Sequence, residues 1–235
     1  MKTTASDPVA ALAPLQFRVL DHFVGFADGA LWTKTAADAG SSVALDADGV
    51  GGIITLTTGG TDNNEAYLAT AELFKFQAGK ALEFTALVQF SEANTDDANV
   101  IVGLLDAPGA NTLVDNGAGP KASYSGVVFF KVDGGTTWQV EVSNGSTQST
   151  YDTGITAGGS AKQKLQAVGV AGPTSVQFSY FIDNVPVMDS TGLQRLTHTV
   201  AIASATEMAA CFGIKAGGSN SEVLNVDLAD FVQVS

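Results

Sequence analysis

The stretch SVQFSYFIDNVPVMDS, residues 175–190, alternates apolar and more polar side chains with a period of two. The apolar positions before the break are Val176, Phe178, Tyr180 and Ile182. In an extended strand successive side chains point to opposite faces, so this period predicts a strand with one buried face. Asp183-Asn184 then interrupts the pattern before a second apolar run, and such a short polar break predicts a β-hairpin.

The same signals recur along the chain and predict further strands. Residues 81–90, ALEFTALVQF, alternate as cleanly, whereas residues 98–106, ANVIVGLLD, form the continuous apolar run that is typical of a strand buried on both faces. Residues 125–151 indicate a meander with turns at Asp133-Gly134-Gly135 and Asn144-Gly145. Asn-Gly favours a type I′ hairpin turn, in which both central residues have positive φ.

Helical periodicity is scarce, and the chain shows neither a linker nor a repeat. Residues 17–26 and 65–75 fit a short helix or a strand equally well. We therefore expect residues 17–235 to form a single all-β domain, a sandwich of two antiparallel sheets.

The first 16 residues differ from the rest of the chain. They contain Thr, Ala, Ser and two prolines without periodicity, which indicates either an extended N-terminal arm or a disordered tail. Their apolar residues favour an arm that packs on a partner. The candidate residues for this contact are Pro8, Val9, Leu12, Pro14, Leu15 and Phe17.

The charge balance restricts the partners. The chain has 11 Lys and Arg residues against 24 Asp and Glu, a net charge of −13, so little is available to neutralise phosphates and we expect no nucleic-acid partner.

The N-terminus lacks the apolar core of a secretory signal, and no apolar run approaches the ~20 residues that span a bilayer. We expect a soluble protein made in the cytosol, with no membrane partner. Cys211, the only cysteine, lies in the apolar run MAACFGI and is expected to be buried.

The sequence gives little support for catalysis. A glycosidase needs two carboxylates about 5 to 9.5 Å apart across a cleft. The acidic residues considered for such a pair do not show a suitable spacing: Glu141, Glu222, Asp227 and Asp230. His22 and His198 are too few for a zinc site by themselves, and no G-x-S-x-G nucleophile motif occurs. We therefore expect no enzymatic activity.

Two kinds of ligand remain as hypotheses, calcium and glycans. Calcium prefers oxygen ligands, and loops 62–65 and 94–97 are rich in them. Asp and Asn are also ordinary turn residues, so both explanations stay open. The candidate calcium ligands are Asp62, Asn64, Asp96 and Asp97. Sugar rings stack on exposed aromatic side chains, for which Tyr151 and Trp138 are the candidates, although Trp138 is in register with Val140 and Val142 and core placement is favoured.

Several segments carry a resemblance to a known family. The segments VQFSYFIDNVPV, AACFGIKAGG and EVLNVDLADFVQVS, in this order, resemble concanavalin A-like jelly-roll domains, in which a strand of the type v-x-F-x-x-D-G-x-x-V precedes a final strand pair. Asn184 stands where Gly is usual, and Asn accepts positive φ. With FVGFADGALW, VGGIITLTTGGTDNNEAYLAT, GLLDA and FFKVDGGTTWQVEVS, the pattern over residues 20–235 resembles jelly-roll structural proteins of tailed bacteriophages.

This resemblance implies a non-enzymatic capsid decoration (cement) protein on the exterior of a virion. Such a protein would bind the major capsid protein as a homotrimer and stabilise the shell. The alternative is a carbohydrate-binding, lectin-like module of a virion or tail fibre. The sugar and calcium ligands of the family match no motif in this sequence, so no cofactor is expected beyond the calcium candidates above.

Overall fold

Two antiparallel β-sheets, A and B, contain the strands of the part of the chain that the structure describes. The computed structural model describes residues 16–91, 97–158, 161–202 and 205–234. Strands are numbered β1 to β17 in chain order, and no helix occurs within these described residues.

Sheet A has nine strands. Its main path contains, in spatial order, β14 (Val185–Pro186), β13 (Ser175–Ile182), β12 (Gln163–Ala171), β7 (Ala81–Ser91), β17 (Val223–Val234), β4 (Ile54–Thr57) and β3 (Ser42–Leu45). Off this path, β1 (Gln16–Asp21) pairs with β17 and β15 (Thr197–Ala201) pairs with β13.

Sheet B has eight strands. Its main path contains β11 (Gln148–Thr156), β10 (Thr137–Asn144), β9 (Ser125–Lys131), β8 (Ala98–Leu105), β16 (Glu207–Ala216), β5 (Glu65–Thr70) and β2 (Trp32–Thr35). The short β6 (Phe74–Lys75) pairs with the beginning of β16.

The inner faces of the two sheets enclose the core. Phe84 of sheet A makes an edge-to-face contact with Phe129 of sheet B, with ring centroids 5.9 Å apart. Phe84 also stacks on Phe231, at 5.4 Å, and Phe231 contacts Phe212 of sheet B at 6.0 Å. Aromatic pairs in these geometries add about 0.5–1.5 kcal/mol each to the burial of their area, so this cluster ties the sheets together.

The strand predictions with the clearest patterns are confirmed. The described hairpin joins β13 to β14, with Ile182 opposite Val185 and both Asp183 and Asn184 at positive φ, 51° and 65°. β7 alternates buried and half-buried residues along its length, and every residue of β8 is buried. The all-β sandwich predicted from the sequence is therefore the observed fold.

The turn at Asn144-Gly145 differs in detail from its prediction. Only Gly145 has positive φ, 94°, so the turn is not type I′. Asn144 ends β10, and its Oδ1 accepts hydrogen bonds from the backbone N–H groups of Ser146 (3.3 Å) and Thr147 (3.1 Å). Through these bonds the side chain of Asn144 stabilises the loop between β10 and β11.

The two segments left open between helix and strand are extended. Residues 65–70 form β5, and residues 16–21 form β1. Gln16, the last residue of the predicted arm, already pairs with Val234. The other arm candidates lie outside the described residues: Pro8, Val9, Leu12, Pro14 and Leu15. Within the described ranges, no helix could span a bilayer.

Candidate binding groove and the outer face of sheet B

A surface groove with a volume of about 490 Å³ lies where β1 and β6 meet the ends of β16 and β17. Its walls combine an aromatic ring with amides and charges of both signs. The lining residues are Gln16, Phe17, Glu72, Leu73, Phe74, Lys75, Gln77, Lys80, Glu207 and Gln233.

Phe17 is the exposed aromatic of this groove. Phe17 is 43% exposed, and every other Phe, Tyr and Trp residue is buried or half-buried. The ring rests on the buried Phe74 in an edge-to-face contact, with centroids 5.3 Å apart and planes at 61°. Because Phe74 holds this ring in one place, little side-chain conformational entropy is lost when a ligand stacks on Phe17.

Gln233, the strand neighbour of Phe17, anchors β6 at the groove. The side-chain amide of Gln233 donates to the carbonyl of Lys75 (2.6 Å) and accepts from its N–H (3.3 Å). On the side of β6 away from β16, this reciprocal pair takes the place of a strand partner and holds β6 against the end of β17. The two sheets are therefore joined at the groove by a side chain.

Charged groups on the rim are balanced and partly bonded. Lys75 Nζ donates to Glu207 at 2.9 Å, and this bond lowers the pKa of Glu207. Glu72 accepts the backbone N–H of Ala107 at 2.9 Å. Within the described part of the chain, the side chains of Gln16, Gln77 and Lys80 form no such bonds. These three side chains are available to a polar ligand.

The outer face of sheet B is closed in its centre by residues 106–124, here called the cover segment. Leu113 and Tyr124 of this segment, both buried, form a second apolar cluster with Ile101, Val128 and Cys211 of the sheet. This burial explains why β8 reads as a continuous apolar run, because both of its faces are covered. A ligand cannot reach the central strands without displacing the cover segment.

Buried polar groups attach the cover segment to the sheet. Lys215 Nζ, with a side chain 1% exposed, donates to the carbonyl of Leu113 (3.0 Å) and pairs with Glu65 (3.3 Å) and Asp115. The N–H of Leu113 donates to the Tyr67 hydroxyl at 3.0 Å. Burial and the Glu65 carboxylate raise the pKa of Tyr67, which stays a neutral donor and acceptor. These contacts were not predicted from the sequence.

The acidic residues considered for catalysis are engaged in structural bonds. Glu141, 5% exposed, accepts from the hydroxyl of Tyr124 (2.8 Å), from the amide of Gln148 (3.0 Å) and from Thr150. Two others form ion pairs, Asp230 with Arg18 and Asp227 with Lys162, and Glu222 is buried. This arrangement offers no free pair of carboxylates among these four residues.

The histidines and the cysteine are not gathered into a site. His198 Nδ1 lies 3.1 Å from the hydroxyl of Tyr180, and burial lowers its pKa, whereas His22 is exposed. Cys211 is buried, as predicted. Among the residues that the structure describes, no cluster of three His, Cys, Asp or Glu side chains could hold a metal ion.

The two candidate stacking residues are in the sandwich rather than on an open surface. Trp138 is fully buried, with its Nε1 donating to Gln163 at 2.9 Å, so its ring faces are not available to a sugar. Tyr151 lies opposite Val140 on the edge strand β11, is half-buried and packs against the core. The exposed aromatic side chain is instead that of Phe17, for which the sequence predicted a contact made by the arm.

The candidate calcium ligands are only partly within the described residues. Asp96 lies outside them. Asp62 is exposed, and Asn64 donates to the carbonyl of Ala39 at 3.4 Å. Burial, followed by the carboxylates of Asp97 and Asp62, raises the pKa of Asp133. Calcium binding at these loops stays a prediction.

Solved structures share this fold over nearly the whole chain. Endo-1,3-beta-glucanase from Streptomyces sioyaensis has a TM-score of 0.62 and 14% identity, with 98% of this chain and 100% of that chain covered. Peanut lectin has a TM-score of 0.55 and 13% identity, with 93% and 97% covered. The carbohydrate recognition domain of Emp47p has a TM-score of 0.56 and 10% identity, with 91% and 93% covered.

These similarities show the fold and leave the activity open. The chain has the concanavalin A-like jelly-roll fold of lectins and glucanases. No protein-family model and no curated protein matches the sequence. The structures above include both lectins and an enzyme, so the shared fold does not decide between binding and catalysis.

Proposed function

We propose that this protein is a non-catalytic, lectin-like domain that binds neutral glycans in the groove at Phe17. The observation that carries the proposal is the exposure of Phe17, the most exposed of the Phe, Tyr and Trp residues, on the wall of the groove. Aliphatic C–H faces of sugars stack on aromatic rings, while their hydroxyls need nearby donors and acceptors. Gln16, Gln77 and Lys80 offer such groups around the ring.

The net charge of the protein favours neutral glycans over acidic ones. A net charge of −13 repels polyanionic polysaccharides at long range. The groove itself has lysines and glutamates in balance, with Lys75 bonded to Glu207. Neutral oligosaccharides therefore fit better than uronic-acid polymers.

Glycan binding is tested with an array of neutral oligosaccharides, including β-1,3-glucan fragments and galactosides, followed by calorimetric titration of the best binder. Phe17→Ala is expected to weaken its binding at least tenfold. Tyr151→Ala is the matched control and should leave the binding unchanged. The proposal fails if no neutral glycan binds, or if Phe17→Ala binds as tightly as the wild type while its melting shows a folded protein.

Capsid decoration remains a prediction from the sequence. None of the solved structures named above is described as a virion protein, and most of the predicted arm lies outside the described residues. Its test is deletion of the arm followed by measurement of binding to capsids. The deletion should end at residue 15, because Gln16 pairs with Val234 within sheet A.

A further inference from the structure

We infer that a pocket around Glu141, on the outer face of sheet B, binds an ammonium or guanidinium group on an alkyl stem. The pocket has a volume of about 240 Å³ and is lined by β9, β10, β11 and residues 117–120 of the cover segment. The inference does not depend on glycan binding at Phe17, because the pocket and the groove at Phe17 share none of their described lining residues.

The register of three neighbouring strands brings the polar residues of this pocket together. Glu141 of β10 is opposite Thr150 of β11. Two residues earlier on β10, Gln139 is opposite Phe130 of β9. Val140, between Gln139 and Glu141, is buried in the core, and residues two apart on a strand share a face. Gln139 and Glu141 therefore lie side by side on the outer face.

The carboxylate of Glu141 is buried without a cation. It is 5% exposed and accepts from the hydroxyl of Tyr124 (2.8 Å), the amide of Gln148 (3.0 Å) and the hydroxyl of Thr150, all neutral donors. Burial and the Glu141 carboxylate raise the pKa of Tyr124, so its hydroxyl remains a neutral donor. Among the described residues, no Lys or Arg forms an ion pair with Glu141. A buried carboxylate is costly unless a positive charge balances it, so the pocket lacks a cation.

The hydrogen-bonding groups that remain free at the pocket are mostly acceptors. A carboxylate has about four lone-pair sites, and Glu141 uses three of them. Both amide hydrogens of Gln148 are used, toward Glu141 and toward the carbonyl of Lys121 at 3.3 Å, so its Oε1 is left to accept. Thr150 gives its one hydroxyl hydrogen to Glu141 and can also only accept. Of the polar side chains that line the pocket, only Gln139, which forms no side-chain hydrogen bond within the described residues, still has donors.

This set of acceptors selects the ligand. Ammonium and guanidinium groups carry several N–H donors and no acceptor, and their positive charge balances Glu141. A sugar hydroxyl also needs a donor from the site, which Gln139 alone supplies. The field of the protein has the same preference, because a net charge of −13 raises the local concentration of cations. The exposed Asp152, opposite Gln139, adds a negative charge next to the pocket.

The apolar part of the pocket fits the stem of such a ligand. Phe130, Val132 and Pro120 line it beside the polar groups. Lys and Arg side chains pack their methylene stems on apolar surface while the charged end reaches a polar partner. The volume is about half that of the groove at Phe17, so it suits one side chain or one small amine rather than an oligosaccharide. A free alkylamine and a Lys or Arg side chain of a peptide share this chemistry.

The test is an NMR titration with agmatine, which has a guanidinium and an ammonium group on a butyl stem. The side-chain amide signals of Gln139 and Gln148 should shift and saturate. Glu141→Gln retains the size of the side chain and an acceptor for Tyr124, and it should weaken agmatine binding at least tenfold. Asp48→Asn removes the same charge at an exposed turn and is the matched control, which should bind agmatine as the wild type does.

A second variant covers the case in which Glu141→Gln does not fold. Gln139→Lys supplies the protein's own ammonium beside Glu141 and should abolish agmatine binding, while thermal melting shows that the variant is folded. Titrations with the N-acetyl methylamides of arginine and lysine distinguish the two sources. Binding as tight as that of agmatine indicates a peptide side chain as the ligand, and binding of agmatine alone indicates a free amine.

Three results would overturn the inference. The first is the absence of a saturable shift with agmatine and with both amino-acid derivatives. The second is agmatine binding that a folded Glu141→Gln or Gln139→Lys variant retains at the strength of the wild type. The third is equal binding of the arginine derivative and its neutral citrulline counterpart, because the site would then not recognise the positive charge.

Discussion

Replacing Lys215 with Met tests whether a buried cation holds the cover segment on sheet B. The ammonium group donates to the Leu113 carbonyl at 3.0 Å and lies 3.3 Å from the Glu65 carboxylate. Met has a similar length without the charge, so the substitution removes the ion pairs and retains most of the packing. Glu65, only 8% exposed, then loses the cation that faces it.

The expected loss of stability follows from this burial. Removing one partner of a buried ion pair costs about 3–5 kcal/mol, because the other charge remains buried. Glu65 keeps its hydrogen bonds from the N–H of Asn111 (2.9 Å) and from the Tyr67 hydroxyl (3.0 Å), and Asp115 has a side chain 50% exposed that regains water. We therefore expect the lower end, about 3 kcal/mol. For a domain of this size, that loss lowers the melting temperature by about 6–12 °C.

Urea and thermal unfolding measure this loss, with the fluorescence of the buried Trp32 and Trp138 as the signal. Lys121→Met is the matched control, since Lys121 donates to the carbonyl of Asp106 (2.9 Å) in the same segment but is 26% exposed. It should cost less than about 1 kcal/mol. Combining Lys215→Met with Glu65→Gln should recover part of the loss. The reasoning is refuted if Lys215→Met costs no more than Lys121→Met.

Two further predictions concern titratable groups. Burial and neighbouring carboxylates raise the pKa of Asp133, so the native state holds the carboxyl proton of Asp133 more tightly than the unfolded chain does. The free energy of unfolding therefore falls as the pH rises above 3.8, the ordinary pKa of an Asp side chain. Asp133→Asn should therefore raise the melting temperature at neutral pH and have little effect below pH 3.8. Equal melting temperatures of variant and wild type at neutral pH would contradict this. Burial raises the pKa of the Cys211 thiol to about 12, so a thiol reagent should label it only upon unfolding. Rapid labelling of the native protein would show that the cluster around Cys211 opens.

The fold was predictable for strands in which apolar and polar residues alternate clearly within the strand itself. The alternation in β7 and β13 specifies a buried face locally, and Asp183-Asn184 supplies a turn whose positive φ these residues tolerate. The apolar run of β8 indicates that both faces are covered, but it does not say by what. Residues 106–124 are rich in Gly, Asn and Asp, and such a composition resembles that of any exposed loop.

The groove at Phe17 and the ion pair beneath the cover segment were harder to predict from the sequence. Glu65 and Lys215 are paired across sheet B although they are far apart in the chain, and neither has a local signal of burial. The period of β1 places Phe17 on the same side as the buried Val19, which suggests a core residue. Phe17 remains exposed because it lies at the end of its sheet, opposite Gln233, where Phe74 covers only one side of the ring.

The cover segment begins and ends at the same point of sheet B. The N–H of Asp106 donates to the carbonyl of Ser125 at 2.9 Å, so β8 and β9 are already joined before the segment is added. Doubling the length of a flexible loop costs only about 0.6 kcal/mol, and no ladder bond depends on this segment's length. Insertions into the exposed turns of this segment are therefore inexpensive, whereas a deletion that removes Leu113 or Asp115 also removes a partner of the buried Lys215. A shorter segment would turn the covered face into an open apolar trough on an unchanged framework.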